Sequence, residues 1–223
     1  MLKILTETEI RVLGVLIEKE LTTPEYYPLT LNALVNGCNQ KSNRDPVVQL
    51  TEGEVSRAVS SLKDKHLLWE RHASGSRTVK YEHNVTDAYD LAKGELALLC
   101  VLLLRGPQTI GELRTRSQRM HSFENLDETR RVLDGLIKRE EDPLATALSR
   151  QPGQKEERFM HLISGEPEPE ILIPATTQAA TPPLSPNPNA SEFETRITEI
   201  EEQVQLLLVR VGRLEDQLDG LLS

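Results

Sequence analysis

One order of elements, written twice along the chain, limits this sequence to a narrow group of folds. The first copy opens on Thr6-Glu7-Thr8-Glu9, a capping box in which the hydroxyl and the carboxylate each satisfy an orphan backbone N–H of the first turn. Ile10, Leu13, Val15, Leu16 and Ile17 follow at helical spacing, which predicts a helix to about Glu20. Pro24 and Pro28 interrupt the chain. Thr30 then caps a second helix through Leu31, Leu34 and Val35, closed by Gly37. Residues 38–46 are polar and read as a loop. Thr51-Glu52-Gly53-Glu54 is a second capping box, and Val55, Ala58, Val59 and Leu62 form one apolar stripe on a third helix ending near Lys65. Two strand-like runs, 67–71 and 78–82, flank Ala73-Ser74-Gly75-Ser76, a composition suited to a hairpin turn.

The same succession returns from Lys93. An apolar helix over 93–104 stops at Gly106-Pro107, Thr109-Ile110-Gly111-Glu112 caps a short helix, and Asn125-Leu126-Asp127-Glu128 caps a longer one carrying Val132, Leu133, Leu136 and Ile137. Runs 144–150 and 158–162 flank Gln151-Pro152-Gly153-Gln154, again strand, turn, strand. Three helices and a β-hairpin, in duplicate, predict a mainly α chain with small β-hairpins (α+β): two tandem winged helix-turn-helix domains over 1–86 and 87–163. Residues 164–190 change to Pro, Thr, Ala, Ser and Glu, a composition that predicts a flexible Pro-rich linker. Over 191–223 the apolar residues alternate by three and four: Phe193, Ile197, Ile200, Val204, Leu207, Val211, Leu214, Leu218 and Leu221. That is a heptad repeat with mostly β-branched a positions and mostly Leu at d, the pattern of a parallel two-stranded coiled coil. Arg196 and Arg210 at g face Glu201 and Glu215 at e of a partner, so the expectation is a homodimer held by Ile197, Ile200, Val204, Leu207, Val211, Leu214, Leu218 and Leu221. The competing expectation is a single amphipathic helix folded back on its own domain.

Charge bears on function once it is divided along the chain. The 26 Lys plus Arg against 35 Asp plus Glu give −9, which at face value argues against binding phosphate backbones. Residues 166–223 hold −8 of it, leaving the first 165 residues at −1. The start of the chain lacks a basic and long apolar leader, and the longest apolar run, 96–104, is far below the ~20 residues of a membrane span. These features predict a cytoplasmic protein without membrane contact. Cys38 and Cys100 stand alone in apolar segments, as buried thiols of a reducing compartment do.

No nucleophile elbow, phosphate-binding Gly loop or paired His spacing is present, and the five histidines are scattered. The expectation is a non-enzymatic protein with no catalytic residues, no cofactor and no metal. A double-stranded DNA partner fits the geometry better, because the third helix of a winged helix-turn-helix enters the major groove while the hairpin reaches the backbone. Outward on the first copy's third helix are Glu54, Ser56, Arg57, Ser60, Ser61 and Lys63, with Arg57 the best base-edge candidate through a bidentate contact to guanine, although Glu54 and Asp64 keep this face from being strongly basic. Lys41 and Arg44 in the loop and Arg71, Arg77 and Lys80 in the hairpin are candidate phosphate contacts. The second copy offers Arg114, Arg116 and Arg119 on and after its second helix, Arg150 and Arg158 in its hairpin, and Arg130 and Arg131 on its third helix, opposed there by Asp127, Glu128 and Asp134.

The strings Tyr27-Pro28-Leu29-Thr30-Leu31-Asn32-Ala33-Leu34-Val35-Asn36, Cys38-Asn39-Gln40-Lys41-Ser42-Asn43-Arg44-Asp45-Pro46-Val47, Arg105-Gly106-Pro107-Gln108-Thr109 and Arg150-Gln151-Pro152-Gly153-Gln154-Lys155-Glu156 closely resemble the YceH-like family of bacterial proteins. The resemblance runs over about residues 6–163 and implies tandem winged-helix domains in one chain. It brings no catalytic or binding residues with it. Two expectations of function therefore stand: a DNA-binding or transcription-regulator-like protein, and a scaffold whose winged helices bind a protein partner, similar to chromosome-segregation accessory proteins. A continuous positive surface on a third helix and hairpin separates the first from the second.

Overall fold

A computed structural model of the protein describes residues 3–72, 78–149 and 156–166. The linker and coiled-coil expectations at 167–223 lie outside these residues, as do both hairpin tips, including Arg77. The described part is mixed α and β, with seven α-helices and two three-stranded antiparallel sheets.

The elements run α1 (Glu7–Thr22), a 3-10 turn (Pro24–Tyr26), β1 (Leu29–Thr30), α2 (Leu31–Cys38), α3 (Glu52–Asp64), β2 (Leu68–His72) and β3 (Val79–His83). A short α4 (Val85–Tyr89) leads into α5 (Lys93–Arg105), β4 (Gln108–Thr109), α6 (Ile110–Ser117), α7 (Leu126–Ile137), β5 (Ala145–Ala147) and β6 (Arg158–His161). The element order α, β, α, α, β, β occurs twice, on either side of α4.

Local sequence accounts for where the helices start. Thr6 Oγ1 accepts from the Glu9 N–H at 3.4 Å and Glu9 Oε2 accepts from the Thr6 N–H at 2.7 Å. The reciprocal pairs at Thr51 with Glu54 and at Thr109 with Glu112 open α3 and α6 in the same way. Asn125 Oδ1 accepts from the Glu128 N–H at 2.8 Å and opens α7. Two strands are additions to the expected hairpins. β1 pairs with β3 (Leu29↔Tyr81) and β4 with β6 (Gln108↔Phe159), giving sheet orders β1-β3-β2 and β4-β6-β5.

Two helices are buried on nearly every side. In α1 every residue from Glu9 to Glu18 is buried, and in α5 every residue from Leu96 to Leu104. α5, apolar all round over Leu96–Leu104, must lie inside a core, whereas α1 also buries Glu9, Arg11 and Glu18, each with internal partners; the two helices pack on each other while each also serves its own copy. Their approach depends on Gly14: a Cβ there would stand 2.8 Å from Leu104 Cδ2 and 3.3 Å from Leu103 Cβ. The Cys100 thiol donates to the Gly14 carbonyl across the same crossing at 3.4 Å. Full burial of each Leu side chain contributes about 1.5–3 kcal/mol, so the Leu-rich seam binds the copies into one core. Backbone bonds reinforce it, from the Leu5 N–H to the Ile163 carbonyl at 2.8 Å and from the Asp45 N–H to the Leu104 carbonyl at 2.9 Å. Both cysteines are free thiols within this core, and burial pushes Cys38 up to about 12.

Candidate nucleic-acid interface

The long connection between α2 and α3 is the first place where the structure corrects the sequence reading. Arg44, expected to contact phosphate, is buried with its guanidinium fully enclosed. Its Nη1 and Nη2 donate to the two Glu18 carboxylate oxygens at 3.0 and 2.6 Å, and Nε and Nη2 donate to the Gly37 carbonyl at 3.1 and 2.9 Å. Around it Arg11 donates to the Pro46 carbonyl at 2.6 Å, while Asn39 and Leu50 exchange two hydrogen bonds at 2.8 and 2.7 Å. The polar stretch is thus pinned to α1 from within. Arg44 holds it there and has no face left for a ligand. Lys41 is exposed on the same connection.

On α3 the apolar stripe of Val55, Ala58, Val59 and Leu62 is buried, so the register turns Ser56, Arg57 and Ser60 outward. The Ser60 hydroxyl donates back to the Ser56 carbonyl at 3.1 Å. Arg57 makes no hydrogen bond or ion pair with another described residue. It lines a cavity of about 370 Å³ together with Thr6, Thr8, Glu54 and Ser61, and its charge is felt at the Glu54 carboxylate, whose pKa is lowered first by the hydrogen bond from the Thr51 hydroxyl. Lys63, nearly two turns on, is committed to Glu70 of β2 at 2.8 Å, which raises its pKa above the ordinary lysine value. Arg71 is likewise paired across the sheet with Glu82 at 2.6 Å. Lys80 stays exposed with no described partner.

The second copy has more arginines and uses more of them internally. Arg114 donates to the carbonyls of Phe123 and Glu124 at 3.3 and 2.8 Å and so braces the α6–α7 connection. Arg116 pairs with Glu112 at 3.1 Å and donates to Gln108. On α7, Arg130 is held by Asp134 at 3.0 Å and Glu157 at 2.9 Å, with its guanidinium carbon 4.9 Å from the centre of the Phe159 ring. Its pKa is raised, first by the hydrogen bond to Glu157. Arg131 alone of these is exposed and without a described partner.

The residues the structure leaves available therefore differ from the full predicted set. Ser56, Arg57, Ser60, Lys41 and Lys80 belong to the first copy and Arg131 to the second. Spacing and helix register identified the outward face of α3. The i,i+4 spacing of Glu112 with Arg116 and of Arg130 with Asp134 shows in the sequence, but nothing local marks Glu70, Glu82 and Glu157 as partners of Lys63, Arg71 and Arg130, because they lie 7, 11 and 27 residues away. Among the described residues no helix is long and apolar enough to cross a membrane.

Comparison with known proteins agrees over nearly the whole chain. The family described as "Protein of unknown function, DUF480" matches residues 5–154. A UPF0502 protein of Geotalea uraniireducens is 51% identical over 221 residues, covering 96% of this chain and 95% of its own. A UPF0502 protein of Aliivibrio fischeri is 45% identical over 226 residues and the whole of both chains, and one of Geobacter sulfurreducens is 55% identical over 165 residues, 74% of each. With the YceH-like resemblance consistent with these matches, the chain belongs to the DUF480 family, the bacterial UPF0502 proteins.

Proposed function

We propose that the protein is a DNA-binding, transcription-regulator-like protein with two winged-helix copies, whose first copy makes the principal contact with the duplex. The observation that carries this reading is the α3 face. Arg57 stands there exposed and unpaired, between small hydroxyl residues that do not obstruct a groove, on the third helix of a three-helix, three-stranded unit. In a winged helix that helix enters the major groove, and a guanidinium reads guanine O6 and N7 in bidentate fashion. Lys41 and Lys80 supply the flanking phosphate contacts, and the heptads at 191–223 supply a parallel homodimer that presents two such faces.

The test is binding of the full chain to random duplex DNA across a salt series. Affinity falls as salt rises, because each neutralised phosphate releases counterions. Replacing Arg57 with Ala weakens binding by about 1–3 kcal/mol. Undetectable binding at low salt, or binding without a salt slope, overturns the reading.

A scaffold reading has its own observation. On the third helix of the second copy Arg130 and Lys138 are both paired with Asp134, and Leu126 at its start is 47% exposed. Mixed charge with an exposed apolar side chain suits a protein partner better than phosphate. Sedimentation of the full chain and of a chain ending at residue 190 tests the dimer; equal masses remove it.

A further inference from the structure

Where the C-terminal ends of α1, α5 and α6 meet, the two copies leave a cleft of about 300 Å³. Lys19, Arg105, Arg116 and Arg119 line it, one or two from each helix end, while Val101, Leu104 and Met120 give it an apolar part. A cation at a helix C-terminus serves the helix dipole. That explains each position on its own helix, but not the convergence of three helix ends on one concave site.

The carboxylates nearby do not match these cations. Glu18 is committed to the buried Arg44 at 2.6 Å and Glu112 to Arg116 at 3.1 Å. Arg105 finds only a neutral oxygen, Asn43 Oδ1 at 2.5 Å, and Lys19 shares Gln40 Oε1 at 3.4 Å with its distant contact to Glu18 at 3.6 Å. Arg119 is exposed and has no hydrogen bond or ion pair with another described residue. Burial, and then the like charge of Arg116, push the pKa of Arg105 below its ordinary value, with Asp45 and Glu18 acting in opposition. Arg105 and Arg119 thus stand beside Arg116 without a carboxylate partner of their own among the described residues.

We propose that this cleft binds a small phosphorylated ligand, with the phosphate held by Arg105, Arg116 and Arg119 and the less polar body against Val101, Leu104 and Met120. Planar guanidinium forks take phosphate oxygens in pairs and outperform lysine at it. A cavity of about 300 Å³ is at the small end of small-molecule sites and too small to admit a duplex. The site lies on different residues from the α3 face and does not depend on the DNA reading. Because it is lined by both copies, occupancy ties the end of α1 to α6, which makes it a place where a ligand can act on the relation between the two units.

Inorganic pyrophosphate is the probe, titrated calorimetrically into the full chain against sodium chloride of equal ionic strength. The expected result is saturable binding that chloride does not reproduce, weakened about tenfold by Arg119→Ala, partly retained in Arg119→Lys, and unchanged in Arg57→Ala. Arg119 is exposed, so its replacement leaves the fold intact; Arg105→Gln provides a second variant with the same expected loss. Absence of saturable binding overturns the proposal, as does wild-type affinity in both Arg105→Gln and Arg119→Ala. Loss of duplex DNA affinity in Arg119→Ala together with displacement of pyrophosphate by DNA reassigns these cations to the nucleic acid and also overturns it.

Discussion

Arg57 on α3 and Arg130 on α7 sit on the third helix of their respective copies, and their surroundings are opposite. Among the described residues Arg57 makes no ion pair, its charge reaching only the Glu54 carboxylate, whereas Arg130 has Asp134, Glu157 and the Phe159 ring. The contrast extends to the connections between second and third helices. In the first copy a long connection is locked by a buried arginine, and in the second a shorter one is braced by Arg114 at the surface. A count of basic residues would choose the second copy as the phosphate-binding one. Pairing reverses that choice, since an arginine with two carboxylates presents little net field. The two halves share one element order but commit their cations differently.

The largest expected effect tests the lock in the first copy. Glu18 and Arg44 are 8% and 5% exposed, and removing one member of a buried pair leaves an uncompensated charge at a cost of about 3–5 kcal/mol. Glu18→Ala should lose that much in chemical denaturation, and joint replacement by Glu18→Leu and Arg44→Met should restore most of it. A loss under 1 kcal/mol for Glu18→Ala means that the connection is held by Arg11 and Asn39 instead.

The second copy contains a different buried polar group. His161, on β6, is 5% exposed, its Nδ1 has no hydrogen-bond partner among the described residues, and burial depresses its pKa to about 4 from 6.5. The unfolded chain takes up this proton between pH 6.5 and 4 while the folded chain does not, so stability is full above 6.5 and falls as pH drops. The interval corresponds to about 3 kcal/mol. Glu9, Glu20 and Asp134, whose pKa values are lowered in the fold, act in the same direction at lower pH. Replacing His161 with Leu should flatten stability between pH 6.5 and 4.5 but keep the acid limb below. An unchanged slope would falsify the assignment to His161.

The seam joining the copies gives a smaller effect. Gly14→Ala places a methyl 2.8 Å from Leu104 Cδ2, and overpacking of this kind costs about 1–3 kcal/mol. If the copies were independent, the loss would appear in one unfolding transition of two; the shared core predicts a single transition shifted as a whole. Two separated transitions in calorimetry would break that picture.

How much of this was legible in the sequence depends on the range of the interactions. The capping boxes at Thr6, Thr51 and Thr109 involve residues three apart, and all three formed as read. β1 and β4 were not legible: each is two residues long, too short for a period, and finds its partner about fifty residues away at Tyr81 or Phe159. α4, with five residues, left an equally faint trace. The role of Arg44 is hidden because a run of Asn, Gln, Lys, Ser and Arg reads as solvated loop, and nothing local reveals Glu18 as its partner inside α1. The cleft between the copies is less legible still, since Lys19, Arg105 and Arg119 meet only through the packing of α1 and α6 on α5.

The finest comparison returns to the third helices, where the expected differences are smallest in stability and clearest in binding. Arg57→Ala removes an exposed side chain with no described partner and should change unfolding free energy by less than about 0.5 kcal/mol, yet it removes the base-edge donor of the proposed interface. Arg130→Ala breaks two surface ion pairs and a cation–π contact and should cost about 0.5–1.5 kcal/mol of stability, while leaving duplex affinity nearly untouched because that guanidinium already serves Asp134 and Glu157. The two variants thus exchange roles between one assay and the other. Equal DNA affinities for both would show that pairing does not decide which copy binds; a larger binding loss for Arg130→Ala would mean that DNA draws its guanidinium away from those carboxylates, and the second copy, not the first, would be the reading head.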